Sequence, residues 1–591
     1  MTYRVPLNEL RFSLQTHGRL PEILSLPNAL GLDFDTVDAV LAEAAKFAEN
    51  ELAATNRTGD LNGAKLANGK VITHSDIATA YQRFCEAGWM GLRAPEAYGG
   101  QGLPASVAAA CEEMWCSANL AFSLLSMLTL GAAEAIHNHA NEQQKQTYLP
   151  KMSAGLWTGT MNLTEPQAGS DLSQINTKAT PKDNGAYAVS GQKIFITWGE
   201  QELTENIVHL VLARLPDAPA GVKGISLFIC PKYLLDEQGS TTNQKNTVSV
   251  VSLEHKMGIH ASPTCVMQFE EAEAYLVGEA NKGLAYMFTM MNHARLCVGI
   301  EGHAVAERAF QAAASYAKER VQGRGANGEK AVIIQHPDVR RMLAVQKAVL
   351  AAQRALYFQA AAAIDTARHH PNPQEQQRAQ DELGFLIPIV KAWSTDNGTI
   401  LTNTAMQVFG GMGYIEESGV AQYVRDVRIT AIYEGTNGIQ AQDLIGRKTA
   451  GNGGKAARAL LAAGEALAAK LSGDAEDLAE NLTQALRLAE SGVDWVLNNT
   501  ATQAQQVQAG ANAYLQQMAC TLGAIAMARH YLAAQEALAD VDNAPFDEDF
   551  YHSQQHIVRV FFAQILPKIH TYAAQMQYGS KAILDLPAEA F

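Results

Sequence analysis

A chain of 591 residues exceeds what one hydrophobic core can hold, so several structural units are expected. Apolar residues make up 47% and charged residues 18%, which fits a well-buried protein and argues against disorder. The net charge of −15, from 45 basic and 60 acidic residues, argues against broad nucleic-acid binding, because phosphate contacts need a basic surface.

Residues 1–35 form a strap rich in Leu and Pro, without a clear period and without a charged-then-apolar leader pattern. From 36 to 157 the pattern is helical, as in Val37 to Phe47, where apolar residues recur at three- and four-residue intervals. A Gly- and Pro-rich loop, Pro95 to Pro104, punctuates it. Ala118 to Ile136 is the only stretch resembling a membrane span, but its polar interruptions (Asn119, Ser123, Ser126, Thr129, Glu134) read better as a buried helix. Residues 158–281 carry short β-type runs: Ala186–Ser190, Lys193–Thr197, Ile207–Ala213, Ile225–Cys230, Val248–Leu253 and Cys265–Phe269. No crossover helix separates them, so an antiparallel sandwich or barrel is expected and a doubly wound dinucleotide fold is not. Helical texture resumes over 282–450, with an exposed loop expected at Arg368 to Gln377. Gly451-Asn452-Gly453-Gly454 reads as a linker to an acidic helical region, 455–591, with eight Lys/Arg and fifteen Asp/Glu. The expected class is therefore α+β multidomain: helical domain, antiparallel β domain, four-helix bundle and an appended helical domain.

Seven cysteines are scattered without a C-x-x-C pair, so neither a disulfide framework nor a structural metal is expected. The pairs His137/His139 and His369/His370 lack partners at metal-ligand spacing, and the metal assignment is none. Gly323 to Lys330 lacks the ending of a phosphate loop, and no Gly-x-Ser-x-Gly elbow occurs.

Three segments concentrate residues suited to chemistry. In Leu163-Thr164-Glu165-Pro166-Gln167-Ala168-Gly169-Ser170-Asp171, a flexible turn brings backbone N–H groups and hydroxyls close to a ligand. In Gly191 to Gly199, alternation places Phe195 and Thr197 on one side of a strand, with Ile194 and Ile196 on the other. The third combines Gln407-Val408-Phe409-Gly410-Gly411-Met412-Gly413-Tyr414, then Arg425-Asp426, then Ile432-Tyr433-Glu434-Gly435-Thr436-Asn437-Gly438-Ile439-Gln440. There the glycines permit close backbone approach to a ligand, and no strand precedes Gly410 to support a Rossmann reading. Glu434, between an aromatic ring and a glycine, suits a carboxylate at the edge of an apolar slot.

Over about residues 36–447 these segments, in this order and texture, resemble the acyl-CoA dehydrogenase family. The strap and the acidic tail make the chain similar to its long bacterial subgroup, which includes 3-methylthiopropionyl-CoA dehydrogenases. The resemblance implies FAD as cofactor, an acyl-CoA substrate and Glu434 as the base that takes the α-proton while the β-hydride passes to the flavin, leaving a trans-2-enoyl-CoA. It assigns Leu163, Thr164, Phe195, Thr197, Arg320, His336, Gln407, Gly411 and Thr436 to the cofactor, and Ser170, Arg295, Tyr433 and Gly435 to the substrate. It also implies enolate stabilisation by the Glu434 backbone N–H and a flavin ribityl hydroxyl, and an acyl pocket lined by Leu120 to Leu130. The family usually has Gly where Gln167 stands and often Trp where Phe195 stands. After Arg320, the run Val321-Gln322-Gly323-Arg324 departs from the family pattern, so only Arg320 carries over.

Expected with these are an electron-transferring flavoprotein as acceptor, a homodimer (the appended domain covering the surface that shorter members use to form tetramers), a role in fatty-acid β-oxidation and a cytoplasmic location. Medium- or long-chain acyl-CoA and 3-methylthiopropionyl-CoA remain alternative substrates. Two other readings are an acyl-CoA oxidase, disfavoured by the ending Ala588-Glu589-Ala590-Phe591, and a non-catalytic member serving in DNA protection or assembly, disfavoured by the acidic tail and the retained Glu434.

Overall fold

The computed structural model describes every residue except 1, 2, 28, 30 and 327. The chain divides into two compact units: a bundle unit (Met1–Ala45, Pro104–Ser117, Val298–Phe591) and a barrel unit (Lys46–Leu103, Ala118–Cys297). The elements used below, in chain order, are helices α1 (Ala105–Ala118) and α2 (Leu120–His139), then strands β1 (Trp157–Asn162), β2 (Lys178–Pro181), β3 (Tyr187–Thr197), β4 (Asn206–Arg214), β5 (Ile225–Pro231), β6 (Val248–Leu253) and β7 (Thr264–Leu276). Helices α3 (Gly283–Glu319), α4 (Pro337–His369), α5 (Pro373–Val408), α6 (Val420–Val427) and α7 (Asn437–Asp443) follow.

In the barrel unit, β6, β7, β3, β2, β4 and β1 pair in that order, and β5 pairs with both β7 and β4, so the sheet closes on itself. Most ladders are antiparallel; β1 and β2 each run parallel to β4, and the latter contact is a single pair, Lys178 against Arg214. Arg214 braces that seam, its guanidinium donating to the carbonyls of Ile175 (3.0 Å), Ser173 (2.7 Å) and Gly221 (2.8 Å). Val189, Ile196, Val211, Phe228, Cys265 and Phe269 fill the interior. The runs read as two strands, Ala186–Ser190 and Lys193–Thr197, are one continuous strand, β3.

Helix α2 starts where the Asn119 side chain accepts from the Phe122 N–H at 3.1 Å. It is the one described helix long and apolar enough to cross a membrane, and 78% of its apolar window is buried inside the protein. Gly159 of β1 allows the close approach: a Cβ there would lie 2.5 Å from the Ala132 Cβ. The hydroxyls of Ser123, Ser126 and Thr129 turn back onto Leu120, Ser123 and Leu125 carbonyls (2.8–2.9 Å), so these residues present small volume rather than free polarity.

In the bundle unit, α3, α4 and α5 are long helices closed by α6 and α7. Helices α3 and α5 cross with backbones nearly touching, because Gly299 faces Val390, Gly302 faces Thr395, and a Cβ on Gly398 would stand 2.5 Å from the Gly302 carbonyl. Helix α1 is anchored to α4 by Asp365, which accepts from the Ala105 and Ser106 N–H groups at 2.7 and 3.1 Å. A fully buried network locks the same helices: Arg354 donates two hydrogen bonds to Glu113 (2.9 and 2.6 Å), Tyr357 donates a third, and His303 Nε2 lies 3.2 Å away.

Three expectations are corrected here. The strap is helical over Leu7–Thr16 and Leu20–Leu24, where Phe12 packs edge-on against His530, Phe550 and Tyr551 of the appended region. Leu7, Leu10 and Leu14 stand at helical spacing, and packing of Phe12 against the appended region adds the tertiary support that a ten-residue helix needs. The loop placed at Arg368–Gln377 shrinks to residues 370–372, because α4 runs to His369 and Asn372 caps α5. The glycine linker is a tight turn, with Gly453 and Gly454 both at positive φ directly before the Lys455–Ala468 helix.

Candidate functional site

In the barrel unit the first two motifs form one surface. The Ile194 N–H donates to the Thr164 carbonyl at 2.9 Å, and the Lys193 ammonium donates to the Leu163 carbonyl at 3.0 Å. Lys193 also pairs with Glu165 at 2.8 Å, both side chains being buried. Glu165 accepts further from the Thr177 hydroxyl (2.6 Å) and the Asn176 N–H (2.6 Å). Burial alone would raise the Glu165 carboxyl, but Lys193 and Thr177 outweigh it and hold it low. Glu165 and Lys193 brace this turn, and motif reading passed over the pair; the Lys193 side chain, fully buried, joins strand to turn.

Strict alternation fails at Phe195. The ladder to β7 slips between Lys193 and Ile196, and Phe195 sits at φ 60°, in the left-handed region. This bulge turns the Phe195 ring outward, 59% exposed, while Ile196 stays buried and Thr197 half-buried. An aromatic face held off a rigid strand, beside the Leu163–Thr164 backbone, fits an isoalloxazine ring. Gln167, standing where the family has Gly, donates to Glu165 (2.7 Å) and to the Gln174 carbonyl (3.0 Å), closing the turn internally. Ser170 is exposed at the tip of this turn, and Asp171 caps the following turn through the Ser173 N–H.

Arg295, on the barrel-unit part of α3, is 5% exposed, with its guanidinium 6.0 Å from the centre of the Phe288 ring. Near it on the same helix, His293 lies 3.1 Å from Arg93, and burial pushes its imidazole down to about 3, so it is neutral.

In the bundle unit, Arg320 and His336 sit around the exposed hairpin Val321–Arg324 and Lys330–Val332. The Ile333 N–H donates to the Arg320 carbonyl (2.8 Å), and His336 Nε2 bonds the Gln322 carbonyl (2.7 Å). Gln407 is exposed on the last turn of α5. Gly410 then turns at φ 61°, and neither it nor Gly411 would bring a Cβ within 4 Å of another atom. Gly413 differs: a Cβ there would strike the Met406 carbonyl at 2.3 Å. An open, side-chain-free backbone at Gly410-Gly411 fits the close approach of a dinucleotide's phosphates or adenosine.

The third motif is a strained turn. Glu434 adopts φ 56° and Gly435 φ 84°, so a non-glycine residue occupies the left-handed region beside a glycine that adopts it freely. The turn is clamped from behind. Lys391 of α5, fully buried, donates to the Gly435 carbonyl at 2.9 Å and to Asn437 at 2.8 Å. Gln440 donates to the carbonyls of Glu434 (3.2 Å) and Gly435 (3.3 Å), and Asn437 donates to Asp396 at 2.6 Å. Thr436 caps α7 by accepting from the Ile439 N–H at 3.2 Å. Tyr433 is tied by its hydroxyl to Glu301 of α3. Of these supports, Lys391, Asp396 and Glu301 lie outside the motif and could be found only from the fold.

Comparison with known proteins agrees with this arrangement. Residues 35–156, 160–272 and 281–449 match the acyl-CoA dehydrogenase N-terminal, middle and C-terminal domains, and residues 455–587 match the acetyl-CoA dehydrogenase C-terminal-like domain. The chain is 44% identical to 3-methylmercaptopropionyl-CoA dehydrogenase of Ruegeria pomeroyi over 552 residues, covering 92% of this chain and 94% of that protein. This chain belongs to the acyl-CoA dehydrogenase family. It is also 34% identical to a butyryl-CoA dehydrogenase of Syntrophomonas wolfei, covering 100% of this chain and 99% of the relative. Among solved structures, the Bacillus anthracis acyl-CoA dehydrogenase complexed with FAD shares the fold at a TM-score of 0.75, with 20% identity over 95% of this chain and 92% of that one. The protein is thus an FAD-dependent acyl-CoA dehydrogenase, and its fold is that of the family with an extra C-terminal helical region.

Proposed function

We propose that the protein desaturates an acyl-CoA thioester between Cα and Cβ, with Glu434 as the base. The observation that carries this reading is the Glu434 turn: a carboxylate on a strained backbone, immobilised by Lys391, Asn437 and Gln440. Such fixing suits proton abstraction, where a displacement of about 1 Å costs on the order of 10²-fold in rate.

FAD, when bound, supplies the acceptor for the β-hydride. Leu163, Thr164, Phe195 and Thr197 would hold its ring. Gln407, Gly411, Thr436, Arg320 and His336 would hold the remainder. Ser170, Arg295, Tyr433 and Gly435 would contact the acyl-CoA. Glu434 takes the α-proton, and its own N–H donates to the thioester oxygen as negative charge develops there. A bound acyl chain excludes water from Glu434 and raises its proton affinity, which suits a general base.

Glu434→Gln should bind FAD normally yet lose flavin bleaching by acyl-CoA, on the order of 10³-fold in rate; near-normal bleaching would refute the assignment. The similarity to the Ruegeria enzyme favours 3-methylthiopropionyl-CoA, and the small residues of α2 also leave room for medium or longer chains. Anaerobic bleaching with acyl-CoAs of graded length separates these. We further propose a homodimer that passes electrons to an electron-transferring flavoprotein. Light scattering at tetramer mass would overturn the first part, and rapid peroxide formation in air the second.

A further inference from the structure

Behind the base turn lies a carboxyl that the reaction scheme leaves unused. Glu301 of α3 is 0% exposed. Its Oε2 accepts from the Tyr433 hydroxyl, while Oε1 is buried with no hydrogen-bond partner among the described residues. Gly299 and Gly302, on either side, bring α3 close against α5. The groups around it are mostly acidic: Glu112 on α1 and Glu434 on the turn bear on Glu301, and Cys116 on α1 lies near Tyr433. The nearby cation, Lys391 on α5, donates instead to Gly435 and Asn437.

A buried carboxylate without a paired cation, beside two other carboxyls, carries an uncompensated charge. Like charges in one dry pocket do not all ionise, and the group with most access to water ionises first. Glu434 is half-buried; Glu301 has no access at all.

We propose that Glu301 is a positioning residue of the reaction, keeping its own proton while Glu434 is ionised and holding, through Tyr433, the turn that presents the base. The proposal rests on Glu434 as the base. Burial, reinforced by the Glu112 and Glu434 charges, pushes the Glu301 carboxyl up to about 8, although Tyr433 and Lys391 pull the other way. Below that pH the pocket holds one fewer negative charge. Above it, a bound acyl chain must dry Glu434 beside an ionised Glu301, which penalises substrate binding more than turnover.

The test is the pH dependence of kcat/KM in FAD-loaded wild type, Glu301→Gln and Tyr433→Phe. Wild type should lose about tenfold per pH unit above about 8, mainly through KM. Glu301→Gln, which cannot ionise, should stay flat, so the variant-to-wild-type ratio climbs at least about tenfold between pH 7 and 9.5. Tyr433→Phe keeps the acid but removes its hydroxyl partner, and should move the limb to higher pH. This second variant tests the idea even if Glu301→Gln fails to take up FAD. A wild-type limb persisting in Glu301→Gln, or an unshifted limb in Tyr433→Phe, overturns the proposal. Glu434→Gln separates the two readings: bleaching that survives in it defeats the base assignment, whereas an inert Glu434→Gln with an unaltered Glu301→Gln limb defeats only the role of Glu301.

Discussion

Two glutamates of the bundle unit, both fully buried, meet opposite fates. Glu113 is held by a bidentate arginine and a tyrosine hydroxyl, with a histidine nitrogen 3.2 Å away, whereas Glu301 has one hydroxyl and, among the described residues, no partner for its second oxygen. Burial alone would raise Glu113, but Arg354 and His303 outweigh it and hold its carboxyl far below the usual range; at Glu301 the pull of Tyr433 and Lys391 does not outweigh burial. The contrast separates a charge used to lock helices together from a carboxyl kept neutral beside a reacting group.

The largest effect that could break this comparison is on stability. Arg354→Met strands the Glu113 charge and should cost about 3–5 kcal/mol in denaturant unfolding. Glu301→Gln at about pH 4, where the carboxyl is largely neutral in both folded and unfolded chains, replaces one neutral group with another and should stay within about 1 kcal/mol. Equal losses would erase the distinction.

Next in size is a split in kcat. Lys391→Met leaves the Gly435 carbonyl and Asn437 without their ammonium, and should lower kcat about 10²-fold while FAD content holds. An unchanged kcat would mean that the turn is rigid without its clamp.

The pH dependence of stability then sharpens the contrast by sign. The folded-state pKa of Glu113 is depressed, so its contribution is present above the ordinary carboxylate range and is lost as pH falls. That of Glu301 is raised to about 8, so its contribution is complete below the ordinary carboxylate range and is lost as pH rises through about 8. Glu301→Gln should therefore remove the decline in unfolding free energy that runs from the ordinary carboxylate range up to about pH 8, and leave the acid loss that belongs to Glu113 unchanged. The smallest change is at the barrel turn, where Gln167→Gly removes two hydrogen bonds and should cost about 1–2 kcal/mol by thermal unfolding.

How much of this was legible beforehand follows from the range of the interactions. The order of helical and β textures, and the motifs around Thr164, Phe195 and Glu434, are local patterns and could be read directly. The outward turn of Phe195 could not, because a bulge breaks the two-residue period that strand reading assumes. Glu165, Lys193, Lys391 and Glu301 each owe their role to a partner 28 to 132 positions away, and sequence spacing carries no trace of such pairings. The Leu7–Thr16 helix is short, so its leucine spacing was a weak local signal, and the aromatic residues that pack on Phe12 lie more than 500 positions later.

The seam between β2 and β4 is a single residue pair, Lys178 with Arg214, where one guanidinium donates to four carbonyls. That seam and the two-pair contact of β5 with β7 are the lines along which the sheet can part without unzipping its longer ladders. Amide protons along Lys178–Pro181 should exchange with solvent sooner than those of β4 and β5, and removing the Arg214 guanidinium should quicken them further. The wall that carries the Phe195 face thus has short seams within it, and its local opening is expected to begin there.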